Sequence, residues 1–114
     1  MTKVMWFSRH DMTEDQLAAL VSKLGEVEVM KIDRTIQTAF ELADEVDECD
    51  VIAIVAPINL QAQFLKLAKD KPVIIAQSRR ELVKNEDGSE SKAVFVFEGW
   101  KQLKKIEVVM EDFA

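Results

Sequence analysis

Three short polar stretches hold most of the residues able to grip an anion or move a proton: Ser8-Arg9-His10-Asp11, Ala56-Pro57-Ile58-Asn59-Leu60-Gln61 and Gln77-Ser78-Arg79-Arg80. Arg9, Arg79 and Arg80 offer planar donor forks that match a phosphate, while Ser8, Asn59, Gln61, Gln77 and Ser78 can hydrogen-bond a sugar or a base. With Pro57 these residues form the expected ligand-binding set. His10, the single histidine, is the natural general acid or base, with Asp11 or Arg9 beside it and Ser8 two residues before it. Ser8 and His10 are the expected catalytic residues. Their i, i+2 spacing puts them on one side of an extended chain without by itself making a dyad.

Other chemistries lack their residues. One His and one Cys cannot furnish a nitrogen and sulfur zinc site, so no metal is expected. Neither G-x-G-x-x-G nor G-x-x-x-x-G-K-[ST] occurs, which argues against dinucleotide redox chemistry and P-loop hydrolysis, and no cofactor is expected. Cys49 has no partner for a disulfide and reads as a small packing residue.

The elements that must position these stretches are legible from hydrophobic period. Lys3 to Phe7 is a short apolar run ended by polar residues, a strand entering a loop. Thr13 and Gln16 have capping-box spacing, and Leu17, Leu20, Val21 and Leu24 mark one face of a helix stopped at Gly25. Glu26 to Ile32 alternates as an edge strand does, and Ile36, Ala39, Phe40, Ala43 and Val46 predict a second helix over 35–48. Val51 to Val55 is uninterrupted and β-branched, which fits a central strand covered on both faces. Asn59 is placed to cap a third helix with Leu60, Phe64, Leu67 and Ala68 on its buried stripe, and Val73 to Ala76 is another buried strand.

This alternation predicts one Rossmann-like, doubly wound, mostly parallel α/β domain spanning residues 1–114; if its strand order begins 2-1-3-4, the first and third strands are neighbours at the switch point. In such sheets ligands bind outside the carboxyl ends of the strands where strand order reverses, so the three polar stretches are expected to converge as loops. After Ser78 the pattern changes. Glu81 to Lys84 and Lys92 to Phe97 flank the turn-forming Asn85-Glu86-Asp87-Gly88 as a C-terminal β-hairpin, Lys101 to Lys105 suggests a helical turn, and Ile106 to Met110 a final strand. Both faces of Ala93 to Phe97 are apolar, which points to cover from within the chain or to a homodimer.

Charge narrows the partners. The 114 residues carry 15 Lys and Arg against 21 Asp and Glu, a net charge of −6. The excess lies in residues 1–70, where Glu41, Asp44, Glu45, Asp47, Glu48 and Asp50 form an acidic run read as a solvated helix face. Duplex DNA requires a basic stripe that this chain does not supply. The longest apolar run is too short to span a bilayer, and no signal peptide is apparent, so a cytoplasmic protein without a membrane partner is expected.

The stretch Phe7-Ser8-Arg9-His10-Asp11-Met12-Thr13-Glu14-Asp15-Gln16, a strand end followed by Ser, His and a T-E-x-Q helix start, resembles the N-terminus of small CRISPR-associated ring nucleases. The resemblance implies a Rossmann-like homodimer that binds cyclic oligoadenylate, with Ser8, Arg9 and His10 lining a pocket shared across a twofold axis. It further implies metal-independent phosphodiester cleavage by attack of a ribose 2′-hydroxyl. The ligand expected on both grounds is an anionic nucleotide or cyclic oligonucleotide. The alternative is a non-catalytic protein-interaction domain of phage or mobile-element origin, binding through its acidic second helix or its hydrophobic hairpin.

Overall fold

A computed structural model describes residues 1–84, 88 and 91–113. Its five strands are β1 (Thr2–Phe7), β2 (Val27–Ile32), β3 (Val51–Ile54), β4 (Val73–Lys84) and β5 (Ser91–Leu103), in the order β2-β1-β3-β4-β5. The first four are mutually parallel and β5 runs antiparallel to β4, a mostly parallel α/β sheet with a C-terminal hairpin. β1 lies between β2 and β3, so the strand order reverses there. All four residues of β3 are buried, as a β-branched run in the middle of a sheet must be.

Helices α1 (Glu14–Leu24), α2 (Ala43–Glu48) and α3 (Ile58–Ala68) cover the sheet unequally. On one face Met5, Phe7, Ile52, Ile54 and Val73 pack against Ile36, Leu42, Val46, Leu60 and Phe64. On the other, Val4, Trp6, Val51, Ala53 and Ile74 meet chiefly Leu20 of α1 and the ring of Trp100. Because no other helix among the described residues packs beside α1 on that face, Leu17 and Val21 stay exposed although they share the predicted apolar stripe. Thr13 and Gln16 close the expected capping box, with bonds of 3.2 and 3.0 Å.

Four expectations change. The second helix does not run over 35–48. The Glu41 carboxylate accepts the amides of Gln37 and Thr38, so the chain turns there, makes one 3-10 turn over Ala39–Leu42 and becomes α-helical only in α2. Asn59 is not a cap: α3 starts at Ile58 behind Pro57, and Asn59 lies in its first turn. Gln77-Ser78-Arg79-Arg80 is not a loop but the middle of β4, paired with Gly99 and with Val96 to Phe97 and Phe95 of β5. The final strand is β5 itself, which continues through Gly99 and Trp100 to Leu103, and residues 106–110 have no regular structure.

Gly99 explains why the strand continues past Phe97. It faces Gln77 where the register shifts, at φ 137°, a conformation that side chains with a Cβ rarely adopt. A glycine that looks like a strand terminator is here a β-bulge, with Glu98 as the extra residue. The expected turn residues Asn85 to Asp87 lie outside the described residues. Beyond Ile74, β4 has β5 as its partner, so an arm of two strands stands out past the carboxyl edge of the parallel strands. The radius of gyration is accordingly 17.1 Å, against about 13 Å for a compact chain of this length. Among the described residues no helix is long and apolar enough to cross a membrane.

Candidate functional site

The carboxyl ends of β1, β2 and β3 enclose a cavity of about 310 Å³ lined by Phe7, Ser8, Arg9, His10, Ile32, Arg34, Thr35, Ile36, Val55, Pro57 and Leu60. It sits at the reversal of strand order, where an open α/β sheet offers a cleft between diverging connections. Its floor is apolar, from Phe7, Ile32, Ile36 and Leu60, and its rim is cationic.

Each rim residue is held from below. Ser8 is buried, and its Oγ accepts the backbone amide of His10 at 3.1 Å, which bends the chain as it leaves β1. The carbonyl of His10 in turn accepts the indole N–H of buried Trp6 at 2.7 Å. The side chains of Trp6 in β1 and of Ser8 just after it therefore fix the backbone of His10 and leave its imidazole exposed at the cavity. Arg9 donates to Thr35 Oγ1 at 2.8 Å across the mouth, tying the β1 loop to the segment after β2. Arg34 donates to the carbonyl of Glu41 and lies 3.8 Å from the Glu45 carboxylate. Each guanidinium carries five donors, so both keep N–H groups for a ligand.

Asp11 does not address His10. Its carboxylate is bonded to Lys31 Nζ at 2.8 Å, and that hydrogen bond, aided by the attraction of the ammonium, holds the Asp11 carboxyl below the usual aspartate range and raises the Lys31 ammonium in return. Burial pushes the Cys49 thiol up, which suits a packing residue and not a nucleophile. Among the described residues no group of three His, Cys, Asp or Glu is placed to hold a metal ion.

The cavity thus gathers Ser8, Arg9, His10 and Pro57 from the expected set. Asn59 and Gln61 lie just beyond it on α3, where Gln61 Nε2 donates to the carbonyl of Ala56 and steadies the turn. Gln77, Ser78, Arg79 and Arg80 are not at the cavity. Val55 is level with Ser8, since its amide bonds Phe7, and the parallel register carries that level to Ala76. Arg79 is three residues further out, about 10 Å above the sheet edge. Its guanidinium is also engaged by Glu81 at 2.7 and 3.0 Å. The guanidinium that stands beside Arg9 at the cavity is therefore that of Arg34, not Arg79, and Arg34 lies in the connection just before the helix expected over 35–48. Applying the carboxyl-end rule to the second strand as well as the first would have found it.

No family model, curated protein or solved structure matches the chain. Within the stretch Phe7 to Gln16, the T-E-x-Q portion is accounted for by the capping box of α1.

Proposed function

We propose that the protein binds a phosphate-bearing nucleotide in the cavity between β1, β2 and β3, and that the ligand is a cyclic oligoadenylate. The observation that supports this reading is the pairing of two anchored guanidinium groups, Arg9 and Arg34, over an apolar floor at the reversal of strand order. A phosphate meets the forks while a base covers Phe7, Ile32 and Leu60. The volume lies at the small end of ligand pockets, room for one nucleotide unit with the remainder of a ring resting on the rim.

Cleavage extends this reading. In the reaction that the resemblance implies, a ribose 2′-hydroxyl attacks the adjacent phosphorus and the bond to the 5′ oxygen breaks, leaving a 2′,3′-cyclic phosphate and a 5′-hydroxyl. The attacking hydroxyl gives up a proton and the leaving oxygen gains one. His10 would carry the proton, Arg9 would offset charge on the phosphorane, and Ser8 would act as a positioning residue through the His10 amide.

Incubation with cyclic tri-, tetra- and hexa-adenylate in chelator, read by thermal shift and by mass spectrometry of the ring, tests both parts. Binding of one ring should raise the melting temperature, and Arg9→Ala or Arg34→Ala should weaken it by about tenfold or more. His10→Ala should retain binding and lose turnover. A protein neither stabilised by nor active on any ring would refute the assignment. The exposed arm supports a second reading, a domain whose main partner is a protein, which the same experiment favours when every ring fails.

A further inference from the structure

We propose that two copies of this chain pair through β5, edge to edge and antiparallel about a twofold axis centred near Phe95, to form one continuous sheet of both copies. The inference is independent of the nucleotide reading. β5 is the last strand in the order β2-β1-β3-β4-β5, so its outer edge presents unpaired amides and carbonyls over 13 residues. Natural sheets blunt such edges with charge, proline or brevity. None of these devices occurs from Ala93 to Phe97, five consecutive apolar residues of which Phe95 is 77% exposed.

The arm also lacks support as a monomer. Beyond Ile74 it is a ribbon of two strands, and an isolated pair of strands is marginal in water. Pairing β5 with its copy joins two such ribbons into a sheet of four strands. Centring the pairing on Phe95 sets Ala93 against the partner's Phe97, Val94 against the partner's Val96, and Phe95 against the partner's Phe95. The apolar run is thus its own complement, as a twofold contact requires.

Exposure and charge favour the same occupant. Leu82, whose strand partner is Ala93, stands on the same face of the arm as Phe95 and is 67% exposed, so the two make one apolar patch beside the proposed seam. Residues 71–114 carry 8 basic and 8 acidic side chains, so no net repulsion opposes the contact, while the acidic excess of residues 1–70 sits at the two far ends. The two cavities would face each other roughly 30 Å apart along the strands, each with its own ligand and not one ring held in common.

Sedimentation velocity at about 100 µM protein should give twice the chain mass of 13.0 kDa. Phe95→Lys, which sets two ammonium groups together at the axis, should raise the dimer dissociation constant at least about 100-fold with unchanged far-UV circular dichroism. Should that variant fail to fold, hydrogen exchange of the wild-type amides in Ala93–Phe97 decides. They should be protected in concentrated solution and exchange faster on dilution. A wild-type monomer at that concentration would overturn the proposal, as would a Phe95→Lys dimer of wild-type affinity or exchange in β5 that ignores concentration.

Discussion

Phe64 and Phe95 are the same side chain in opposite settings. Phe64, on α3, is fully buried and rests against Phe7 with ring centroids 5.5 Å apart, inside a core whose members come from β1, β3, α2 and α3. Phe95, on the arm, has a strand partner in Arg80 and most of its ring in water. The difference is one of cover. The parallel body wraps its strands because each crossover returns as a helix, whereas the hairpin returns directly and brings no helix with it. A direct return is therefore the place where this fold leaves apolar strand surface to be covered from outside.

The sharpest way to break that contrast is to truncate both rings. Phe64→Ala should cost about 3–5 kcal/mol in urea unfolding, through lost transfer energy and the cavity left in a wall that cannot fully collapse. Phe95→Ala, measured at a dilution where the chain is monomeric, should stay within about 0.5 kcal/mol of wild type. Equal costs would mean that the arm is packed as the body is. The boundary between the two regions should respond less than Phe64. Nothing lies within 4 Å of a Cβ built on Gly99, so Gly99→Ala meets no clash, and its cost is the backbone at φ 137°. A loss of about 1–3 kcal/mol is expected by calorimetry. The loss should come with weaker hydrogen-exchange protection in Gln77 to Arg80 before any loss in β3, because the bulge fixes where the arm leaves the body.

The same contrast sets what could be read from the sequence. Val51 to Ile54 and Val73 to Ala76 are unbroken β-branched and apolar runs with turn residues at their ends, and burial on two faces leaves few other meanings for them. The arm was legible in its outer half, where Glu81 to Lys84 and Lys92 to Phe97 flank turn residues and form the expected hairpin, but not at its base. Gln77 to Arg80 is a strand because β5 pairs with it, not because its residues favour one, and its polar side chains suit an exposed ribbon as well as a loop. The site was legible in part for a related reason. Ser8 to His10 and Pro57 follow directly from the ends of buried strands. Arg34 depends on the chain turning at Gln37 and Thr38, which is decided by a carboxylate three to four residues later and not by hydrophobic period.

A smaller effect tests how the thinly covered face is held. Among the described residues α1 is the only helix on its side of the sheet, and Trp100 of β5 donates to the carbonyl of Gln16 at 3.0 Å within its first turn. The capping box therefore fixes both the start of α1 and the base of the arm. Thr13→Ala should cost about 1 kcal/mol. It should also shift the fluorescence of Trp100, whose ring stacks edge-on with Trp6 at 5.9 Å, and Trp6→Phe separates the two emissions. A stability loss with no spectral change would detach the arm from α1.

The smallest expected effect is a pH dependence in the turn that presents Arg34. The backbone amides of Thr38 and Gln37 donate to the Glu41 carboxylate and hold its pKa below the ordinary value of 4.5. A carboxyl depressed in the folded state binds fewer protons there than in the unfolded chain. Its contribution is therefore fully present above 4.5 and is lost as pH falls through the lower folded value. Thermal unfolding followed from about pH 7 to pH 3 should show Glu41→Gln melting below wild type at neutral pH, with the two curves converging in acid. Because the Glu41 carbonyl also receives Arg34, the proposed nucleotide binding should weaken along with the neutral-pH loss, and should weaken in the wild type over the same acid range. Parallel melting curves across the whole range would mean that the amides of Gln37 and Thr38 are satisfied equally well without the charge, and that the turn is set by the burial of Ile36 and Ala39 alone.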